Sequence, residues 1–362
     1  MTPQYAIQGD GSRWCWFSQP IRRIHASHDF SAAMDELQQL SEHHPVSFAI
    51  DYEGSIAHAY QRSLPCHGLE AWVWDSIEYL DTQQLIERLP QPAQHWEWEL
   101  EMTYSDWRTR IETLQAYLRA GDCYQGNLSV RARGRCVESA GALFSALLQR
   151  QPSEFSALMP WRSGWALSLS PELLWRVDDG AIECQPMKGT IGLGETDEQS
   201  AQLASWLAQD TKNRAENLMI LDLIRNDLGR IAQPGSVHVP ESFSVRRYQT
   251  LQQMVSTVRA QLNQTRFSDW CAALMPYGSI TGAPKKRAIE ILEQLEISPR
   301  GLYTGSCGYL FKGHSVANVA IRTATLIDQN LEFGVGGGIT LDSEAQDEWD
   351  EVLLKARFIA AP

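Results

Sequence analysis

The segments GWALSLSP, LLWRVDD and AIECQPMKGT, which fill residues 164–190, follow one another with gaps too short to hold a helix. A parallel pair of strands needs a crossover of a dozen or more residues, so these strands are expected to pair antiparallel. With YQGNLSVRARG upstream at residues 124–134, they predict a meandering, largely antiparallel sheet. Period-two alternation marks further strands at 46–60 and 70–80, and others are expected near 235–239, 256–262, 305–311, 317–327 and 331–335. Helical periodicity falls at SAAMDELQQLSEH, at a segment capped by Ser105 and stopped by Gly121, and at about 198–228, 284–295 and 344–359. Strands come in runs rather than in strict alternation with helices. The class is therefore α+β, and a doubly wound nucleotide-binding sheet is disfavoured.

With 43% apolar and 21% charged residues, the 362-residue chain has the composition of a soluble globular protein. No apolar run approaches the roughly 18 to 20 residues of a membrane span. The N-terminus lacks the basic flank and apolar stretch of a signal peptide, so a cytoplasmic chain is expected. Seven cysteines without a C-x-x-C pair indicate neither a disulfide framework nor a zinc ribbon. A formal net charge of -13 opposes binding to nucleic acid or to an anionic membrane. Seven of the 13 tryptophans lie in the first 107 residues, as in an aromatic packing layer. The segment LPQPA at 89–93 is the best candidate boundary, dividing an N-terminal scaffold region (1–100) packed on the core from a catalytic region (101–362).

Two acidic helical faces carry the most chemistry. Asn213 and Glu216 are three apart, as are Glu348 and Glu351, with Lys355 one turn further on. Alone, each reads as a solvated face. Converging, they would offer the one or two carboxylates that Mg²⁺ prefers when a substrate supplies further oxygens. GVGGGI at 334–339 fails the dinucleotide pattern, and GSITGAPKK at 278–286 lacks the spacing of a phosphate loop. Both still bring backbone N–H groups near a possible anion. Lys188, at the end of an apolar strand, is solvent-facing on the bland reading and an amine nucleophile if desolvated. Cys307 in TGSCGY does not sit in an amidotransferase motif and reads as a packed residue.

The segments YQGNLSVR, SLSPELL, QPMKGT, KNRAENLMILDLIRNDLGRI, GSITGAPKKRAIEILEQLE, YTGSCGYL, AIRTATL and GGGITLDSEAQDEWDEVLLKA occur in that order. In this the chain resembles the chorismate-utilising enzymes, over roughly residues 104–359. The resemblance implies large, mostly antiparallel sheets packed as a sandwich with helices outside. It makes 101–362 the chorismate-binding catalytic region. Gln125 stands where water-adding members carry a lysine base, which favours amination. Lys188 in PMKGT replaces the alanine of anthranilate-forming members and points to the aminodeoxychorismate-forming branch. Anthranilate formation, amination at C2, and a weakly active chorismate-binding paralogue stay open as alternatives.

By the same resemblance, Lys188 is the nucleophile and Glu172 the acid for the leaving hydroxyl. Glu216 and Glu351 are Mg²⁺ ligands, with Glu348 in support. Arg322, Tyr303, Lys355 and the amides of Gly336, Gly337 and Gly338 are assigned to substrate carboxylate, and Gly189 and Thr190 to a turn lining the ring. Gln253 replaces a histidine associated with aromatisation, and Asn213 an acidic residue. The histidine's loss fits an enzyme that stops at an aminated intermediate. Implied partners are chorismate and ammonia, a separate glutamine amidotransferase subunit, and a lyase acting on the product toward 4-aminobenzoate and folate.

Overall fold

The computed structural model describes residues 3–248, 251–263 and 266–360. Among these, eighteen strands form one hydrogen-bonded network in which every pairing is antiparallel. The alternation of side chains decides how that network packs. Consecutive residues on several strands enter different apolar clusters: Phe48 and Ala49, Leu173 and Leu174, Tyr309 and Leu310, Val316 and Ala317. One cluster is built almost wholly from strands, with Phe17, Trp74, Met159 and Tyr309 at its centre, and forms the strand-on-strand interior. The other two lie beneath helices, so both faces of the central strands are buried.

Strands of the first hundred residues are woven into the rest. Val46–Ile50 pairs with Ser306–Phe311, Tyr5–Gly9 with Ala157–Trp161, and Trp96–Leu100 with Gln125–Cys136. The LPQPA segment is packed, with Leu89 and Ala93 buried and the Ala93 N–H donating to Ala142 O at 2.9 Å. All seven cysteines are free, and Cys307 is buried in its strand. No helix among the described residues is long and apolar enough to cross a membrane.

Four local expectations are corrected. The strand expected over 46–60 ends at Ile50, because Asp51 accepts the Gly54 N–H at 2.7 Å and starts the helix Tyr52–Tyr60. The helix before Gly121 is capped by Thr103 rather than Ser105, through a reciprocal box with Asp106. The helix expected over 198–228 is two, Asp197–Gln209 and Thr211–Gly229. Asp210 adopts an extended backbone and caps the second by accepting the Asn213 N–H at 2.9 Å. The strand expected over 317–327 is also two, His314–Asn318 and Thr323–Ile327, with Arg322 left-handed (φ 49°) just before the second.

Arg300, 3% exposed, ties these parts together. Its guanidinium donates to Glu296 Oε2 at 2.9 Å and Oε1 at 2.7 Å, to Ile280 O at 2.8 Å and to Asn127 O at 2.6 Å. It also lies 4.4 Å from the centre of the Tyr52 ring. Glu53 accepts the backbone N–H of Arg300 at 2.7 Å and of Gly301 at 2.9 Å. Removing one partner of a buried pair strands the other's charge, at a cost of about 3 to 5 kcal/mol. Arg300→Ala is expected to lower unfolding free energy by that amount in urea titrations, and a loss below about 1 kcal/mol would contradict this role.

Candidate active site

The strand Met187–Gly192 pairs irregularly with Leu251–Gln261, the register shifting between Met187 and Thr190. Such a bulge re-aims a side chain, and here Lys188 and Gly189 occupy it. Gly189 is left-handed (φ 94°), and a Cβ there would lie 2.9 Å from Asn213 Oδ1, so the helix carrying Asn213 and Glu216 passes directly over the turn. Asn217 secures the arrangement. Its amide donates to Lys188 O at 3.3 Å, and its carbonyl accepts from Ser256 Oγ at 2.6 Å.

The Lys188 amine reaches toward the glycine strand Asn330–Ile339. A Cβ on Gly338 would sit 2.6 Å from Lys188 Nζ and closer still to Gln125 Nε2, so both side chains converge on this glycine and would have to shift to admit a larger residue. Gln125 is 1% exposed and its Oε1 is buried without a partner. Burial is the largest influence on Lys188 and holds its pKa below the ordinary lysine value. Glu216 opposes that shift, Lys355 adds to it, and Glu351 and Glu348 oppose it. The two acidic faces therefore converge on this amine.

Glu172, 3% exposed, is near enough to Lys188 to feel its charge. Its Oε1 accepts from Ser279 Oγ at 2.8 Å and from the Met187 N–H at 3.4 Å. Burial nevertheless pushes its pKa up to about 7, outweighing those bonds and the nearby Lys188. A carboxyl that keeps its proton near neutrality can act as an acid.

Glu348 accepts from Ser343 Oγ at 2.7 Å, and its other oxygen lies 3.0 Å from where a Gly337 Cβ would be. Lys355 donates to Glu351 at 2.6 Å and to Gly336 O at 2.9 Å. Glu351 is exposed, and the desolvation that works to raise its pKa is outweighed by Lys355, Lys188 and Lys212, which together bring it below the usual value. Among the described residues, the group whose ligand atoms all lie within 4.8 Å is the exposed set Asp178, Asp179 and His314, not Glu216, Glu348 and Glu351. With lysines between them, the three glutamates do not close up on one another. Their all-oxygen donor set and mutual repulsion fit a hard cation such as Mg²⁺, which takes one or two carboxylates and completes its shell from substrate and water.

Arg322 is half-buried, and its guanidinium has no side-chain hydrogen bond or ion pair among the described residues. Burial lowers its pKa, with the Tyr248 phenol opposing. Tyr303 packs its ring on Gly334, and the charged groups nearest its hydroxyl are Arg300 and Glu296. Gln253 stands opposite Thr190 in the ladder, with its Oε1 buried and unpartnered, while Thr190 is exposed. Ser279, Asn217, Ser256 and Tyr248 were not singled out from the sequence. Ser279 lies in a glycine-rich stretch read only for its amides, and Asn217 beside Glu216, but their contacts cross between distant segments.

The sequence profile described as chorismate binding enzyme matches residues 26–361. Aminodeoxychorismate synthase component 1 of Salmonella typhimurium is 40% identical over 267 residues, 73% of this chain and 59% of that protein. An anthranilate synthase component 1 of Haloarcula marismortui is 37% identical over 276 residues, 76% of this chain and 56% of that protein. The chain thus aligns with less than two-thirds of the length of either relative. Anthranilate synthase component I from Streptococcus pneumoniae superposes with a TM-score of 0.81 at 23% identity, covering 99% of this chain and 91% of that one, and so shares the fold. A profile that spans all but the first 25 residues and the last places this chain in the family of chorismate binding enzymes.

Proposed function

We propose that this chain is the chorismate-binding component of an aminodeoxychorismate synthase, converting chorismate and ammonia to 4-amino-4-deoxychorismate. One observation carries the reading: the half-buried Lys188, its pKa lowered by desolvation, lies within the electrostatic reach of the buried Glu172, whose pKa burial pushes up to about 7. Similarity of 40–41% to three bacterial proteins named aminodeoxychorismate synthase component 1 supports it. Ammonia would come from glutamine through a separate amidotransferase subunit. The product would pass to a lyase on the way to 4-aminobenzoate and folate, in the cytoplasm.

The residues suit a double displacement. Neutral Lys188 attacks C2 of the ring, the double bonds shift, and the C4 hydroxyl departs as water with the proton of Glu172. Ammonia then adds at C4, the double bonds shift back, and Lys188 leaves C2 as a free amine. The new ammonium returns a proton to Glu172. Gln125, packed beside the amine, offers its unpartnered carbonyl to hold the incoming ammonia. Arg322 and Tyr303 serve the enolpyruvyl carboxylate, with Lys355 and the Gly336–Gly338 amides. Gly189 and Thr190 line the ring, and Gln253 lies opposite Thr190 without an ionisable group for elimination. Glu216 and Glu351, with Glu348 behind them, would hold Mg²⁺, whose charge would neutralise the ring carboxylate.

Lys188→Ala is expected to lose at least about a hundredfold in aminodeoxychorismate formation, with high ammonium diverting residual product to the C2 isomer or anthranilate. Mass analysis of products from chorismate, ammonium and Mg²⁺ checks this. An unchanged product profile would overturn the mechanism, and anthranilate as the wild-type product would favour the anthranilate synthase reading.

The pH profile has a defined sign. Glu172 must be protonated and Lys188 neutral, so kcat/KM should be bell-shaped, with one limb set by loss of the Glu172 proton, whose pKa burial pushes up to about 7, and the other by protonation of the Lys188 amine, whose pKa burial lowers. In Glu172→Gln the alkaline decline should vanish along with most activity. Chelation should abolish turnover, and Glu351→Gln should raise the Mg²⁺ concentration for half-maximal rate by about tenfold or more. A Mg²⁺ titration of the variant indistinguishable from wild type would remove Glu351 from the metal site.

A further inference from the structure

The hairpin formed by His238–Arg247 and Leu251–Gln261 brings a residue to the site that no motif assigned. Tyr248 follows the first strand directly, and its backbone N–H donates to Leu251 O at 2.7 Å. Alternation along the hairpin fixes its face. Arg247 pairs with Asp197 and Gln252 donates to Ser200 O, both at 2.8 Å, so these side chains point to the helix Asp197–Gln209. Arg246 turns the other way and donates to Gln185 Oε1 at 2.8 Å. Tyr248, two residues on, shares the face of Arg246.

That face meets the 169–173 segment, because Gln185, the acceptor of Arg246, pairs with Leu173 in the ladder and the Leu169 N–H donates to Arg322 O at 2.9 Å; there the phenol feels the charges of Glu154, Arg246, Arg322 and Glu172. Arg246 is occupied by Gln185 and Glu241, and Glu172 by Ser279 and the Met187 N–H. Glu154 is exposed. Arg322 alone is half-buried with no side-chain partner, and the Tyr248 hydroxyl likewise has no hydrogen bond among the described residues. Two neighbouring donors without an acceptor, one of them cationic and desolvated, form a receptor for an anion.

We propose that Tyr248 is a substrate-binding residue whose hydroxyl donates, together with the Arg322 guanidinium, to the enolpyruvyl carboxylate of the substrate. The inference rests on the chorismate reading. Chorismate carries its enolpyruvyl ether on C3, next to the C4 hydroxyl that Glu172 would protonate, and the phenol lies within reach of the fields of both Glu172 and Arg322. Burial pushes the phenol up to about 12, so it remains a donor throughout the working pH range.

The test is Tyr248→Phe in the full chain, which keeps the ring and deletes the hydroxyl. Chorismate binding is measured by calorimetry, alongside ammonium-dependent kinetics. A hydrogen bond to a charged group is worth about tenfold or more, so Kd and KM should rise about tenfold while kcat stays within about twofold. In an Arg322→Ala background the same change should have a smaller effect, because the two donors share one acceptor. Unchanged Kd in Tyr248→Phe with weakened binding in Arg322→Ala would overturn the role of Tyr248 and leave the functional reading intact. Failure of the wild-type chain to bind chorismate would overturn both.

Discussion

The guanidinium of Arg300 is a buried charged node between segments that also meet by backbone pairing, Gly282–Ala283 with the start of the strand Gln125–Cys136. It fastens the end of the helix Lys285–Leu295 through Glu296, the start of the strand Gln125–Cys136 through Asn127 O, and the 278–282 loop through Ile280 O. That loop carries Ser279, the hydrogen-bond donor to Glu172, and that strand carries Gln125 beside Lys188. A buried arginine fully engaged by a carboxylate and carbonyls contributes geometry more than net stability, since desolvation offsets much of its attraction. Here the geometry is the spacing between an acid and an amine. The Glu53 clamp on residues 300 and 301 extends the same restraint into the first hundred residues.

Around that frame the site is an arrangement of charges in tension. Three glutamates and two lysines share a small volume at which the helices Thr211–Gly229 and Ala345–Ala356 meet a glycine-rich strand. Lys355 pairs with Glu351 at 2.6 Å, and Glu216 exerts the largest charge attraction on Lys188. Desolvation outweighs the glutamates and holds the amine's pKa below the ordinary lysine value. Glu172 is desolvated as well, and burial pushes its pKa up to about 7 against the opposing bonds from Ser279 and the Met187 N–H and the charge of Lys188. The same physical cause, burial, moves the two pKa values in opposite directions.

Much of this was legible beforehand where a signal is local. The antiparallel meander followed from gaps of single residues, Gly121 ended its helix, and the spacing of Glu348, Glu351 and Lys355 put them on one helical face. Local readings failed where a short polar contact overrode periodicity. Asp51 and Asp210 each turn the chain by capping a helix, and Thr103 displaced Ser105 because its hydroxyl and the Asp106 carboxylate satisfy two backbone donors at once. Tyr248 escaped because a tyrosine at a strand end has no distinguishing pattern.

The sequence by itself determined the runs of antiparallel strands, the family, and which side chains carry ionisable chemistry, Lys188, Glu172 and the acidic faces among them, because period, motif order and side-chain chemistry are properties of neighbouring residues. Tertiary structure decided what those groups do to one another. A pKa depends on burial and on charges brought from elsewhere in the chain: Ser279 to Glu172 from 107 residues away, the Gly338 backbone to Lys188 from 150, and Tyr248 to Arg322 from 74. Proximity across such separations is set by packing and ladder register, and neither is encoded in any local window.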